Sequence, residues 1–267
     1  MEAVRDVARR WLNECVPERK VTGVHDLCAD LRAGRLGMAG GAPPLPIGPP
    51  GRPPRPVLVP ASEVPRRRLG GAEGRAALVH AIAHIEFNAI NLALDAVHRF
   101  PGMPAEYYRD WLRVAADEAR HFTLLASRLA DLGYRYGSFP AHNGLWEMAE
   151  KTAHDVMIRM ALVPRVLEAR GLDVTPGMIE RLTSVADHET VSVLRVILDE
   201  EVAHVAIGSH WFRHLCKRRG LAPEATFREL LAEYMSGRVR GPFNAPARLQ
   251  AGFTAAELQA LEALGSA

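Results

Sequence analysis

Two short stretches combine residue types and spacing that can hold a metal ion. Asp117-Glu118-Ala119-Arg120-His121 and Asp199-Glu200-Glu201-Val202-Ala203-His204 each place a glutamate three residues before a histidine. On a helix such residues share a face, so each pair offers one carboxylate and one imidazole to a common point. Two pairs of this kind, joined by one glutamate from each of two further helices, make up a carboxylate-bridged dimetal site. The motif alone is weak. With 20 glutamates and 11 histidines in 267 residues, about one Glu-x-x-His match arises by chance, and a surface pair has the same spacing.

The surroundings add the information. A helical segment beginning near Glu73 carries Val79, Ile82, Ala83, Ala89, Ile90, Ala93 and Val97 on one stripe, with Glu86 in its middle. A carboxylate on an apolar face is costly unless it is paired or bound to metal. His84 lies about 200° around the axis from Glu86 and reads as a hydrogen-bonded histidine on another face. Phe100-Pro101-Gly102-Met103-Pro104 stops this helix. The next helix, over about 105–132, places Glu118 and His121 among Trp111, Val114, Ala115, Phe122, Leu125 and Leu129.

After a loop at 133–144, a third helical region starts near Leu145 and places Glu168 on a face related to Met148, Met157 and Ala161. Pro164 predicts a kink, Gly171 to Pro176 predicts an interruption, and helix is expected to resume over 178–185. A break near Asp187 precedes the last long helix, to about Arg218. There Glu201 and His204 interrupt the stripe Leu194, Ile197, Leu198, Val205, Gly208, Trp211 and Phe212.

Register links these acids. Glu86 and Glu118 are 32 residues apart and centred on Gly102, inside the proline-glycine turn. Glu168 and Glu201 are 33 apart and centred at Ser184–Val185, beside the break at Asp187. Residues equidistant from a turn lie level in an antiparallel hairpin, so each hairpin is expected to bring its two carboxylates together. Four carboxylates and two imidazoles suit iron or manganese better than a thiolate-rich zinc site. The predicted ligands are therefore Glu86, Glu118, His121, Glu168, Glu201 and His204, around two metal ions, iron preferred and manganese possible. A metal-bound histidine usually donates its other N–H to a carboxylate. Asp117 is accordingly expected to support His204, and Glu200 to support His121.

The expected fold is all-α: a ferritin-like four-helix bundle with a dimetal carboxylate site over 73–220. It is flanked by an N-terminal helical segment (1–39), a proline-rich extended strap (40–72) and a C-terminal helical extension (221–267). Val4, Val7, Ala8, Trp11 and Leu12 predict one amphipathic helix within 1–15, and Val24, Leu27 and Leu31 another over 24–33. Nine prolines between Gly40 and Pro65 exclude helix and central strand there, and Val57, Leu58 and Val59 favour a strap laid on the core. The tail is expected to form a helix near Pro223–Met235, a Gly/Pro loop at Gly241–Pro246, and a short helix holding Leu258 and Leu261.

A net charge of +2 gives no general affinity for nucleic acid. The dispersed Cys15, Cys28 and Cys216, with no secretory signal evident, point to a reducing cytoplasmic compartment. No apolar run of membrane-spanning length is expected.

The order of acids and histidines resembles the ferritin-like superfamily of four-helix di-iron proteins. More closely, His80-Ala-Ile-Ala-His-Ile-Glu86, Asp117 to His121, Glu168-Ala-Arg-Gly-Leu-Asp173 and Gly241-Pro-Phe-Asn-Ala-Pro246 resemble a bacterial ferritin-like family known as a domain of unknown function. The tRNA-modifying di-iron hydroxylases are a similar branch. The resemblance implies the fold and a metal site, not a substrate. Open positions at two metals in a buried bundle point to an O2-activating oxidoreductase, a hydroxylase or oxidase, acting on a small molecule or on tRNA, with electrons from an external donor because no flavin or dinucleotide fingerprint is evident. It would be a monomer or small homo-oligomer without a membrane. A metal-handling protein (ferroxidase or manganese-catalase-like) and a scaffold with a structural metal site are the alternatives. A tRNA role requires Arg66, Arg67, Arg68, Lys217, Arg218, Arg219, Arg238 and Arg240 to converge. Phe243 and Asn244 are either lid residues or part of a structural turn.

Overall fold

The computed structural model describes residues 1–38, 40–65, 67–235 and 239–265. Arg66 and Arg238, two of the basic residues named above, lie outside this set. The described residues form helices and no strand; the only β-type pairings among them are isolated bridges, Ala3–Gly37 and Leu58–Ala141. The chain divides into two compact units, Met1–Glu150 and Lys151–Ala267.

The first unit is built on a helical hairpin, α3 (Ala72–Arg99) and α4 (Ala105–Asp131). Pro101 and Pro104 cannot continue the ladder, and Gly102 takes φ 75°, a left-handed conformation that costs a glycine little. The five-residue turn makes the two helices antiparallel neighbours. Helix α1 (Val4–Leu12) packs on α3, and α2 (Pro17–Arg32) packs on α4. Helix α2 begins seven residues earlier than the spacing of Val24, Leu27 and Leu31 suggests. Pro17 opens it, at the first-turn position where a missing N–H is harmless. Gly23 lets the two N-terminal helices close up: a Cβ there would meet the Trp11 ring at 2.2 Å.

The proline-rich stretch is a strap on this unit. Its carbonyls are taken one after another: Gly40 and Ala42 by the Arg5 guanidinium, Leu45 by Arg99, Gly48 by Trp146 Nε1, and Gly51 by Lys20 Nζ at 2.7 Å. Gly51 N–H donates to Leu12 O, and Val57 to Val59 exchange hydrogen bonds with Ala141. Helix α5 (Gly144–Lys151) buries Trp146 and Met148.

Contrary to the expectation that no apolar run has spanning length, α3 could cross a membrane by length and composition. Its most apolar window has a mean hydropathy of 1.3 and is 78% buried, as in the core helix of a folded domain.

The second unit is also organised on a hairpin. Helix α6 (Val156–Leu162) runs into a π-helical turn (Val163–Glu168) and then α7 (Ala169–Ser184), which returns along α8 (His188–Arg218). The break in this region falls at Thr152–Asp155, not at Gly171–Pro176. Asp155 caps α6, its carboxylate accepting from Met157 N at 2.7 Å and Ile158 N at 3.3 Å. An aspartate before an apolar run is itself a helix-start signal.

Gly171 and Pro176 lie inside α7. A proline at 176 cannot bond to the carbonyl of residue 172, and Asn244 Nδ2 donates to Leu172 O instead, at 3.1 Å. At Pro164 the predicted kink takes the form of the π turn, where the ladder closes five residues back: Ala169 N donates to Pro164 O. Asp187 caps α8, accepting from Thr190 N at 3.2 Å. Helices α9 (Pro223–Met235), α10 (Ala245–Gln250) and α11 (Ala255–Gly265) complete the unit and bury Phe227, Leu231, Leu258 and Leu261.

Candidate metal centre

The turn at Gly102 sets Glu86 of α3 level with Glu118 and His121 of α4. All three are buried, at 4%, 1% and 0% exposure. His121 Nδ1 lies 3.2 Å from Glu86 Oε2 and 3.4 Å from Glu118 Oε2. One ligand atom from each falls within 4.8 Å of the others, so this buried cluster could hold a metal ion. Burial alone would depress the His121 pKa, but hydrogen bonds and charge from Glu118 and Glu86 dominate and push it up to about 11. In the absence of metal His121 is therefore an imidazolium between two acids.

The second unit holds the other three predicted ligands. Glu201 and His204 are buried on α8, with His204 Nδ1 3.5 Å from Glu201 Oε1. In both units the Nδ1 side of the imidazole is turned toward the glutamate three residues earlier. Glu168, also buried, is the last residue of the π turn, which packs on α8. Among the described residues, these three do not by themselves converge as the first three do.

His84 behaves as its position predicts. Its Nδ1 lies 2.8 Å from the Tyr136 hydroxyl and its Nε2 3.1 Å from His142 O. Burial pulls its pKa down to about 4. His80 is likewise held near 4 by burial, and its Nε2 accepts from Gly137 N at 2.9 Å. Asp117 is partly exposed and 3.8 Å from Arg120, one turn along α4. Arg67 pairs with Glu73 at 3.3 Å and covers the Phe139 ring.

The family model described as "Protein of unknown function (DUF455)" matches residues 13–259. The chain belongs to this family. A protein of Haemophilus influenzae described as "Uncharacterized protein" is 52% identical over 213 residues, which cover 77% of this chain and 74% of that relative. No solved structure matches the chain.

In this DUF455 chain the buried charges extend past the predicted ligands. Lys20 is wholly buried, its ammonium donating to Leu12 O at 3.0 Å, Gly51 O and Asn91 Oδ1. Arg165, one turn before Glu168, pairs with Glu257 at 2.6 Å and sits over the rings of Phe212, Phe227 and Phe253, 4.2–4.8 Å from their centroids. Arg248 forks onto Asp173 at 2.7 and 2.9 Å. Phe243 packs on the Arg248 guanidinium and Asn244 caps α10, so both build the turn that the sequence offered as an alternative to a lid. No spacing rule flags these arginines, because their partners lie tens of residues away.

Proposed function

We propose that the two hairpins form a ferritin-like four-helix bundle in which Glu201, His204 and Glu168 join Glu86, Glu118 and His121 around two metal ions, iron in preference to manganese. The observation that carries this reading is the buried convergence of Glu86, Glu118 and His121 at 3.2 and 3.4 Å, formed as the level spacing about Gly102 requires. The 33-residue spacing of Glu168 and Glu201, centred at Ser184–Val185 beside the turn, extends the argument to the second hairpin. The donor set is oxygen with nitrogen and no thiolate, which suits iron or manganese.

Bound there, two redox-active ions supply the means to reduce dioxygen, and the assignment is an O2-activating oxidoreductase, a hydroxylase or oxidase. The chain's own groups contribute in three ways. Apolar neighbours such as Ala115, Phe122 and Leu125 exclude water around the acids. His121 holds a proton in the metal-free state and must release it before its Nδ1 can ligate, so metal uptake is coupled to proton release. Asp117 and Glu200 accept from the outward ring nitrogens of His204 and His121, fixing ring orientation. Electrons come from an external donor, because the sequence carries no flavin or dinucleotide fingerprint. The substrate is a small molecule or tRNA, and the setting is the cytoplasm.

The test is metal analysis and an optical spectrum of aerobically purified full-length protein, followed by oxygen uptake after chemical reduction. Two irons per chain and oxygen consumption are expected. Replacing Glu118 with Ala should remove most of the metal. Unchanged stoichiometry in that variant rules out the site, and a reduced di-iron form inert to both dioxygen and peroxide rules out the activity.

A further inference from the structure

We propose that the C-terminal segment from Arg240 to Glu257 positions Glu168, so that docking of this segment and occupancy of the metal position served by Glu168 are coupled; this rests on the dimetal reading above.

Glu168 sits at the junction of two helical registers. The π turn closes with Ala169 N on Pro164 O, and α7 begins at that same Ala169. Advancing a helix by one residue turns its later side chains by about 100° around the axis, so exchange of the π register for an α register would carry the Glu168 carboxylate to another face. Something must hold the π register, and beside the packing of α8 the tail supplies contacts that do so.

Arg248 donates to Arg165 O at 3.5 Å and Ala169 O at 3.4 Å, the carbonyls that bracket Glu168, while its guanidinium is fixed by Asp173. Arg165, inside the turn, is held by Glu257 of α11 and by Ser209 Oγ of α8 at 3.2 Å. Asn244 takes the Leu172 carbonyl that Pro176 cannot serve, and its own N–H donates to Asp173 Oδ1 at 2.9 Å. Arg170 donates to Arg240 O and Pro242 O. The tail thus grips the chain on both sides of Glu168 through groups that a metal does not need. Arg165 and Arg248 are positioning residues. Each acts on Glu168 through the backbone of the π turn, and coupling of this kind is reciprocal.

The experiment titrates chelator-treated full-length protein with Mn2+ alone and follows hydrogen exchange by mass spectrometry. Arg248→Gln should weaken one of two bound ions by about 10- to 100-fold, the range seen when a ligand's support is lost, and leave the other unchanged. Arg248→Lys keeps the charge but not the fork and should recover only part of the loss. Asp95→Ala, a destabilising change in the first unit, controls for a general fall in stability and should leave both ions in place. In the wild type, Mn2+ should slow exchange across 240–257, a measurement that stands even if Arg248→Gln fails to fold. Wild-type titration by Arg248→Gln, equal weakening in Asp95→Ala, or exchange across 240–257 indifferent to Mn2+ would each overturn the inference alone. A wild type that binds no Mn2+ or Fe2+ overturns the dimetal reading, and the inference with it.

Discussion

His121 Nδ1 stands 3.2 Å from Glu86 Oε2 across the α3–α4 hairpin, a buried ionic contact between residues 35 positions apart. In the metal-free protein the imidazolium is the counter-charge within the cluster for Glu86 and Glu118. His121→Ala should therefore destabilise chelator-treated protein by about 3–5 kcal/mol, the usual cost of removing one partner of a buried ion pair. Urea unfolding measures it; a loss below about 1 kcal/mol would mean that the cluster is not ion-paired.

Lys20 gives a pH signature. Burial lowers its pKa from 10.5 to about 7 in the folded chain. Between those values the unfolded chain binds the extra proton, so stability rises as pH rises from about 7 toward 10 and is lost as pH falls back through the folded pKa. Lys20→Met should flatten that slope while lowering stability, because Leu12 O, Gly51 O and Asn91 Oδ1 lose their donor. Denaturation midpoints measured at several pH values, with equal slopes for the two proteins, would refute the assignment.

Gly208 is where α8 meets the π turn. A Cβ added there would lie 2.4 Å from Pro164 Cβ and Cγ. Gly208→Ala should cost about 1–3 kcal/mol through overpacking. Gly171→Ala, in α7 with nothing within 4 Å of the new methyl, should instead stabilise by about 0.5–1 kcal/mol. Opposite shifts in thermal midpoint are the expected result, and shifts of the same sign would contradict the packing described.

Arg99 forks onto Asp95 one turn earlier, at 2.6–3.0 Å, while reaching Leu45 O on the strap. Asp95→Ala should destabilise by about 3–5 kcal/mol, because it strands a buried guanidinium. The double change Asp95→Leu with Arg99→Met should cost less than that single change, since no charge is left unpaired. A double-mutant cycle with additive losses would show that the pair is not coupled.

The sequence made the hairpins legible because their stops are local. Proline and glycine around Gly102, and Asp187 before α8, punctuate the chain at the residues where it turns, and the acids then fall level by counting. The start of α6 is legible too, in Asp155 ahead of an apolar run. Gly171 and Pro176 lie inside α7, and Pro176 fails as a breaker because Asn244, more than 65 positions on, takes the carbonyl that it leaves. The π turn belongs to the same class. Pro164 announces a disturbance, but its form depends on Gly208, Arg248 and Glu257 arriving from elsewhere. Contacts made across long sequence separations leave no local periodicity, so the fastening of Glu168 could not be read from its neighbours.

The strap carries one more consequence. Pro46-Ile47-Gly48-Pro49 and Pro50-Gly51-Arg52-Pro53 have the spacing by which proline-rich peptides dock into aromatic grooves of adaptor modules. Such docking reads an open, solvated backbone. Here the carbonyls of Gly48 and Gly51 are already held by Trp146 and Lys20, and Pro50 and Gly51 are buried. Pro50 and Gly51 are a splint pinned to the core, so an adaptor reading Pro50-Gly51-Arg52-Pro53 would first have to prise that segment loose, while Pro46 and Pro49 face solvent.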